Sequence, residues 1–307
     1  MYDLIIIGGG PAGTSSAVYA ARKRLKTLLI AKEFGGQSMV SETIYNWIGT
    51  PEISGADLAK SLEEHTRYYE GEYLTIKEGQ LATKVVKNDD DTFTIITDKE
   101  EEFTAKSVLV SSGSSRRKLN VEGADRLEHK GLTYCATCDG PLFADLDVAV
   151  IGGGNAGFET AAQLLAYCKS VTLIHRGDSY RADQITVDKV LSHEKMKGIT
   201  NASLKEIQGE KMVDGLIYTD SEGIDQTLKV QGIFVEIGQI PNTDLVDGVA
   251  ERDDYNKISI DPWTQKTSQL GIWSAGDCTN VRYHQNNIAA GDAVRAIEDI
   301  YSYLHAS

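Results

Sequence analysis

The sequence is poor in the features that mark small stapled, membrane-spanning or nucleic-acid-binding proteins. Four cysteines in 307 residues are too few to staple a chain of this size, which excludes a structural disulfide framework. No apolar run approaches the roughly 20 residues that a membrane-spanning helix needs. The start, Met1-Tyr2-Asp3, lacks the basic region of a signal peptide, and the short apolar run after it ends in glycines. It reads as a buried strand, and a cytoplasmic location is expected. Basic residues are outnumbered, 31 Lys and Arg against 45 Asp and Glu, for a formal charge of −14. Nucleic acid and anionic membrane both require a basic surface, so neither is expected as a partner. Low-complexity tracts are missing, and 41% hydrophobic with 25% charged residues is ordinary for a folded soluble chain. At roughly 100 to 200 residues per domain, the length predicts two domains.

What the chain does contain is one pattern written twice. Residues 3–30 align without a gap on residues 147–174, the mark of an internal repeat. Asp3-Leu4-Ile5-Ile6-Ile7 runs into Gly8-Gly9-Gly10-Pro11-Ala12-Gly13, and Asp147-Val148-Ala149-Val150-Ile151 into Gly152-Gly153-Gly154-Asn155-Ala156-Gly157. Each is an apolar strand entering GxGxxG, then an Ala-rich helix, then a second apolar strand at residues 27–30 or 171–174. The first glycine permits a tight turn, the second lets the backbone approach a pyrophosphate, and the third lets helix pack on strand. The helix N-terminus then faces the phosphates with unpaired N–H groups. One such turn is a weak signal; two with correct flanks are strong.

The copies differ where a ribose would be read. Glu33 ends the first unit about 20 residues past its last glycine, suited to the hydroxyl pair of an adenosine such as that of FAD. The second unit ends His175-Arg176-Gly177-Asp178-Ser179-Tyr180-Arg181, with guanidinium groups able to bind a 2′-phosphate. A solvated surface loop is the alternative reading of Arg176 and Arg181. Between the units, residues 83–87, 92–97 and 103–104 alternate with period two and predict an antiparallel meander. Residues 108–110 read as a separate buried strand ending at Ser111-Ser112-Gly113. Residues 232–238 form a matching strand, and residues 271–277 then have to complete the first sheet.

Cys135-Ala136-Thr137-Cys138 lies just before the second glycine turn. That spacing admits a disulfide when the pair begins a helical turn, and a CxxC motif makes the attacking thiol more acidic. Zinc would need a second ligand pair, and none is present, so no metal is expected. Asp139 is placed to protonate a departing thiolate or merely to cap a turn before Gly140-Pro141. Cys168, in an Ala/Leu-rich stretch, reads as packing; Cys278 stays open. His284 reads as a surface histidine.

Over essentially its whole length the chain resembles the low-molecular-weight thioredoxin reductases and, equally, the C-terminal flavoprotein part of the alkyl hydroperoxide reductase large subunit. The resemblance rests on GGGPAG, Gly35-Gly36-Gln37, CATCDGPLF, GGGNAG, GIFVEIGQIPNT, and Thr267 through Asp277 followed by Tyr283-His284-Gln285. It implies an α/β fold of two Rossmann-like dinucleotide-binding domains of the three-layer ββα type, the second inserted into the first. The FAD domain would comprise residues 1–114 and 244–307, and the NAD(P)H domain carrying the CxxC residues 115–243. A homodimer is implied, as is rotation of one domain against the other. Gly8, Gly10, Gly13, Glu33, Gln37, Asn46, Asp277 and Gln285 would contact FAD, with Pro11, Ala12, Gly36, Gly113 and Gly276 from the same motifs. Gly152, Gly154, Gly157, Arg176 and Arg181 would face the coenzyme, with Asn155, Ala156 and His175. Cys135 would exchange with the substrate disulfide, Cys138 would face the flavin, and Asp139 would be the acid.

The chain departs from the thioredoxin reductase pattern at Gly177, where a second arginine is usual, at Gly157, usually Ala, at Ser111-Ser112 before Gly113, and at His284, where Arg or Lys is common. The segments 34–37 and 275–285 look closer to the hydroperoxide-reductase branch, whose thioredoxin-like module has no counterpart here, so a separate partner is expected to carry the electrons onward. The leading expectation is an NADPH-dependent reductase of a thioredoxin-like protein. The alternative is a reductase serving a peroxiredoxin system with NADH, or one using another donor such as ferredoxin. A third, from another class, is a flavin-binding protein whose cysteine pair is a sensor or a structural disulfide.

Overall fold

The computed structural model describes residues 1–41 and 43–305, the side chains of Val40 and Thr137 excepted. The chain divides into two compact units, Met1–Ser115 with Ile240–Ser307, and Arg116–Gln239.

In the first unit the apolar run forms β1 (Tyr2–Gly9). Period two turns Leu4 and Ile6 to one face and Ile5 and Ile7 to the other, and both faces are covered, which is why the run is continuous rather than alternating. α1 (Pro11–Arg22) follows at once, with Pro11 in its first turn, where a missing N–H costs nothing. β2 (Thr27–Phe34) returns parallel to β1, Leu4 opposite Thr27 and Ile7 opposite Ile30. α2 (Gly55–Tyr68) is capped by Ser54 Oγ, which accepts from Asp57 N at 3.0 Å, and leads to β3 (Leu74–Glu78) beside β2. β4 (Ala82–Lys87) and β5 (Phe93–Thr97) form an antiparallel hairpin, and β5 pairs with the first half of β6 (Glu102–Val110). The sequence suggested two segments at 103–104 and 108–110; they are one strand. Polar residues inside it find partners instead of breaking it: Lys106 pairs with Asp3 at 2.8 Å and Ser107 Oγ donates to Asp3 O at 2.7 Å.

β7 (Ser114–Arg116) leads out of this unit. The second unit opens with α3 (Ala124–Leu127), β8 (Leu132–Thr133) and α4 (Ala136–Asp139). β9 (Asp147–Ile151), α5 (Asn155–Leu164) and β10 (Ser170–Ile174) repeat the strand-helix-strand unit, with Val148 opposite Val171. α6 (Gln184–Leu191), capped by Asp183, precedes β11 (Met196–Ile199). An antiparallel meander of β12 (Ser203–Gln208), β13 (Gly215–Thr219) and β14 (Asp225–Leu228) follows. β15 (Gly232–Val235) then inserts between β9 and β8, giving the parallel order β11-β10-β9-β15-β8. The order reverses between β9 and β15, and such a switch point is where open α/β sheets bind ligands. β15 stops short of the run to 238 read from the sequence, because the backbone turns away there, with Gly238 at φ 105°.

β16 (Gln239–Pro241) pairs with β7 as the chain returns. β17 (Ile272–Ser274) joins the second half of β6, Ile272 opposite Val108 and Ser274 opposite Val110. α7 (Asn286–His305) packs beside α1, its Ala293, Ala296 and Ile297 sharing a core with Ala17, Ala20 and the fully buried Trp273. The indole Nε1 donates to Asp299 Oδ2 at 2.9 Å. In each unit, helices cover one face of the parallel sheet and antiparallel strands the other. This is the three-layer ββα architecture of two Rossmann-like domains, the second inserted in the first.

Candidate active site

The two glycine turns are built alike. Gly8 has φ 116° and Gly152 φ 129°, left-handed conformations that a side chain would strain. A Cβ on Gly13 would stand 1.8 Å from Gly8 O, and one on Gly157 2.0 Å from Gly152 O. Helix and strand are therefore in backbone contact at both places, and the Ala usual at the second has no room here. By contrast, the nearest atom to a Cβ on Gly10 is 4.0 Å away, and nothing lies within 4 Å of one on Gly154. These are the positions at which a dinucleotide fingerprint leaves room for a pyrophosphate. Gly10 and Gly154 are also the N-caps, with no capping side chain and no acidic residue in either first turn. Both helix ends keep their N–H groups for an anion, so the residues present fit two dinucleotides.

Around the first turn, Glu33 is exposed at the end of β2, and its carbonyl lies against Gly9. A Cβ on Gly276 would lie 3.4 Å from the Ala12 Cβ, so Gly276-Asp277 is brought beside Pro11 and Ala12 at the head of α1. A Cβ on Gly36 would lie 3.4 Å from Gly10 Cα, which places Gly36 beside the first turn. Asn46 Nδ2 donates to Gln285 Oε1 at 3.1 Å, and Gln37 Nε2 donates to Ser114 O and, at 3.1 Å, to Ser114 Oγ. Gly113, at φ 66°, accepts through its carbonyl from Asn242 N at 3.0 Å.

Sequence reasoning missed the struts here. Ser38 Oγ donates to Asn286 Oδ1 at 2.9 Å and Asn287 Nδ2 to Asn46 O at 2.8 Å, tying the segment after β2 to the start of α7. The paired Asn286-Asn287 next to Gln285 was the available signal. His284 is not a surface histidine. Its ring is partly buried, with Nε2 2.9 Å from Lys257 Nζ and Nδ1 3.3 Å from Asp277 Oδ1, the latter without hydrogen-bond alignment. Burial holds the Lys257 ammonium below its usual range, against the attraction of Asp253 and Asp277.

Around the second turn, His175 closes β10 and its ring fills the space between two glycines. A Cβ on Gly153 would stand 2.6 Å from the imidazole and one on Gly177 2.8 Å from its Nε2. The ring therefore crowds both positions. Burial lowers the imidazole pKa, and Arg181 and Arg176 push it the same way. Arg176 and Arg181 are both exposed. The loop bearing Arg181 is pinned rather than loose: Arg181 N donates to Gly153 O at 2.8 Å and Asp183 N to Asn155 Oδ1 at 2.9 Å. Ala156 lies in the first turn of α5.

Cys135 and Cys138 form a disulfide with a Cα separation of 5.3 Å. Cys135 is the N-cap of α4, and Cys138 N donates to Cys135 Sγ at 3.2 Å. Thr133, not singled out in the sequence, organises the site. Its hydroxyl donates to Asp139 Oδ2 and accepts from Cys135 N at 3.3 Å, which fixes the carboxylate relative to the pair. Cys168 and Cys278 are buried in the two cores. Burial pushes the Cys168 thiol up to about 11, leaving it inert. Among the described residues no group of His, Cys, Asp or Glu is arranged to hold a metal ion, and no helix is long and apolar enough to cross a membrane.

Two dinucleotide turns and a redox-capable cysteine pair define a class, and similarity to known proteins agrees with it. Residues 2–293 match the pyridine nucleotide-disulphide oxidoreductase family. The chain belongs to that family. It is 38% identical to the F subunit of alkyl hydroperoxide reductase from Escherichia coli (strain K12), over 99% of this chain and 58% of that one. It is 37% identical to a protein named NADH dehydrogenase from Bacillus subtilis (strain 168), again over 99% of this chain and 58% of the relative. The chain thus spans little more than half the length of these curated relatives. Among solved structures, thioredoxin reductase from Streptococcus pyogenes MGAS5005 superposes with a TM-score of 0.91 at 32% identity, covering 100% of this chain and 99% of that one.

Proposed function

We propose that the chain is an FAD-dependent disulfide reductase that draws electrons from NADPH in preference to NADH and delivers them through Cys135 and Cys138 to the disulfide of a thioredoxin-like protein. FAD, when bound in the first unit, supplies the two-electron relay between coenzyme and cysteine pair. Gly8, Gly10 and Gly13 with the head of α1 hold its pyrophosphate, Glu33 its adenosine ribose, and Gln37, Asn46, Asp277 and Gln285 the rest. In the second unit Gly152, Gly154 and Gly157 hold the coenzyme pyrophosphate, and Arg176 and Arg181 its 2′-phosphate. Reduced Cys135 attacks one sulfur of the substrate disulfide. Cys138 then attacks Cys135 Sγ, the Cys135–Cys138 bond re-forms, and Asp139 gives a proton to the departing substrate thiolate. The enzyme acts as a cytoplasmic homodimer.

The observation that carries this reading is the closed Cys135–Cys138 disulfide heading a helical turn, with Asp139 held beside it by Thr133. A second reading has its own support, since the hydroperoxide reductase and NADH dehydrogenase relatives are 37–38% identical, above the 32% of the thioredoxin reductase. In it, NADH is the donor and a peroxiredoxin-system disulfide the acceptor. Anaerobic stopped-flow reduction with NADPH, NADH or reduced ferredoxin, followed by mixing with oxidised thioredoxin or an oxidised peroxiredoxin-system protein, tests both. Fast flavin bleaching by NADPH and reoxidation by thioredoxin is the expected result. Bleaching with no reoxidation by any disulfide protein defeats both readings.

A further inference from the structure

A carboxyl that the fingerprints do not explain stands beside the second glycine turn. Glu236 follows β15 directly, and its N–H donates to Ile151 O at 2.8 Å, at the carboxyl end of the parallel sheet. A Cβ on Gly152 would be 2.1 Å from Glu236 O, so the two backbones are in contact. The side chain turns toward α5, where Thr160 Oγ1 donates to Oε1 at 2.8 Å. Position along the sheet gives this carboxyl a meaning. β10 and β15 flank β9 on opposite sides, and β10 leads through His175 to Arg176, which the proposed function gives to the 2′-phosphate of the adenosine half. A dinucleotide held by its pyrophosphate at the turn carries its other half toward β15.

We propose that Glu236 is a specificity group for the nicotinamide half of the coenzyme, favouring the oxidised, positively charged ring over the reduced, neutral one. The proposal rests on reading the second unit as the coenzyme domain. Burial raises the Glu236 carboxyl to about 7, with Thr160 and Arg116 drawing it down and Glu159, also on α5, pushing it up. Near neutral pH the group is thus divided between its two forms, and a small change of neighbour moves its proton. A cationic ring favours the carboxylate, lowers its pKa and releases a proton on binding. A neutral ring that only excludes water raises the pKa and takes one up. Affinity for the oxidised form therefore rises as pH climbs through 7, and affinity for the reduced form falls.

The test is calorimetric binding to the oxidised holoenzyme at pH 6, 7 and 8, in two buffers of different ionisation enthalpy. The probes are NADP⁺ and the non-reducing tetrahydro analogue of NADPH. Both share the 2′-phosphate, so its titration cancels in their affinity ratio. That ratio should move toward NADP⁺ by about tenfold from pH 6 to 8, the factor for one pKa unit, with proton release seen only for NADP⁺. Glu236→Gln should flatten the ratio. Thr160→Val keeps the carboxyl but removes a bond to its ionised form, and should shift the midpoint to higher pH. An unchanged pH dependence in Glu236→Gln overturns the proposal alone, and so does an unmoved midpoint in Thr160→Val. A parent that binds neither probe overturns the coenzyme reading of the second unit, and this proposal with it.

Discussion

The turn from Gly8 to Gly13 and the turn from Gly152 to Gly157 share their dihedrals, their backbone contacts and their uncapped helix ends, yet their surroundings have little in common. The first is ringed by Glu33, Gly276-Asp277 and the Asn46–Gln285 pair, cross-braced to α7 by Asn286 and Asn287. The second has His175, Arg176 and Arg181 on one side and the carboxyl of Glu236, which burial raises, on the other. In the proposed function the repeated part serves what two dinucleotides share, a pyrophosphate, and what distinguishes one ligand from the other sits at the ends of neighbouring strands.

The comparison breaks most sharply at the Cys135–Cys138 pair, which lies in the second unit. Cys135→Ser should abolish disulfide reduction, by on the order of a thousandfold or more for loss of a nucleophile, while leaving reduction of the bound flavin by coenzyme intact. A long-wavelength charge-transfer band from the remaining Cys138 thiolate is expected in that variant. Turnover at the parent rate, or a band seen only when Cys138 is replaced, would reverse the assignment of the two sulfurs.

A next effect separates the two turns. A valine at Gly13 or Gly157 drives a side chain into a backbone carbonyl within 2.0 Å, an overpacking that costs about 1 to 3 kcal/mol or more. Gly13→Val should purify without yellow colour. Gly157→Val should keep its FAD and lose coenzyme binding, measured by the coenzyme concentration that half-bleaches the flavin. If both variants lose FAD alike, the two turns are not independent ligand sites. Smaller again is Asp139→Asn, expected to slow the thiol-disulfide step about a hundredfold, as for loss of a general acid. Thr133→Val, which removes one partner of the carboxylate and the acceptor of Cys135 N, should cost less. Equal rates in Asp139→Asn and the parent would reduce Asp139 to the turn cap that its position also allows.

What was legible in the sequence was whatever repeats or punctuates. The glycine turns, their strands and the two-domain α/β fold follow from a gapless internal match and from apolar runs buried on both faces. The join of residues 103–104 to 108–110 was hidden because Lys106 interrupts the apolar pattern, and its ion pair with Asp3 comes from 103 residues away. Long-range polar contacts escaped in the same way. Thr133, His284 with Lys257, and Glu236 with Thr160 are ordinary residues in sequence, and their partners are set by the sheet order. The glycine at 177 was visible, but the ring packed between Gly153 and Gly177 is a matter of volume.

The finest division between the two units is coenzyme choice, and here the expected effect is smallest. Neither His175 nor Arg176 nor Gly177 offers the carboxylate that Glu33 offers in the first unit; the first carboxylate after β10 is Asp178. A charge-assisted hydrogen bond to a 2′-phosphate contributes roughly 1.5 to 3 kcal/mol, or about 10- to 100-fold at 1.4 kcal/mol per decade. Arg176 is exposed, and solvent screening moves the figure to the lower end, about tenfold. Arg181 is exposed as well, but its backbone is fastened to Gly153, so its guanidinium starts from a defined place and should contribute a comparable share. Only one guanidinium follows His175 directly, and discrimination should therefore be weaker than with a second arginine at 177. The measurement is kcat/KM for NADPH and NADH in the parent, Arg176→Ala and Arg181→Ala. A loss of about tenfold confined to NADPH in each variant supports the division of labour between the units. An equal loss for both coenzymes, no loss, or a parent that prefers NADH makes these arginines surface residues and moves the peroxiredoxin-system reading to first place.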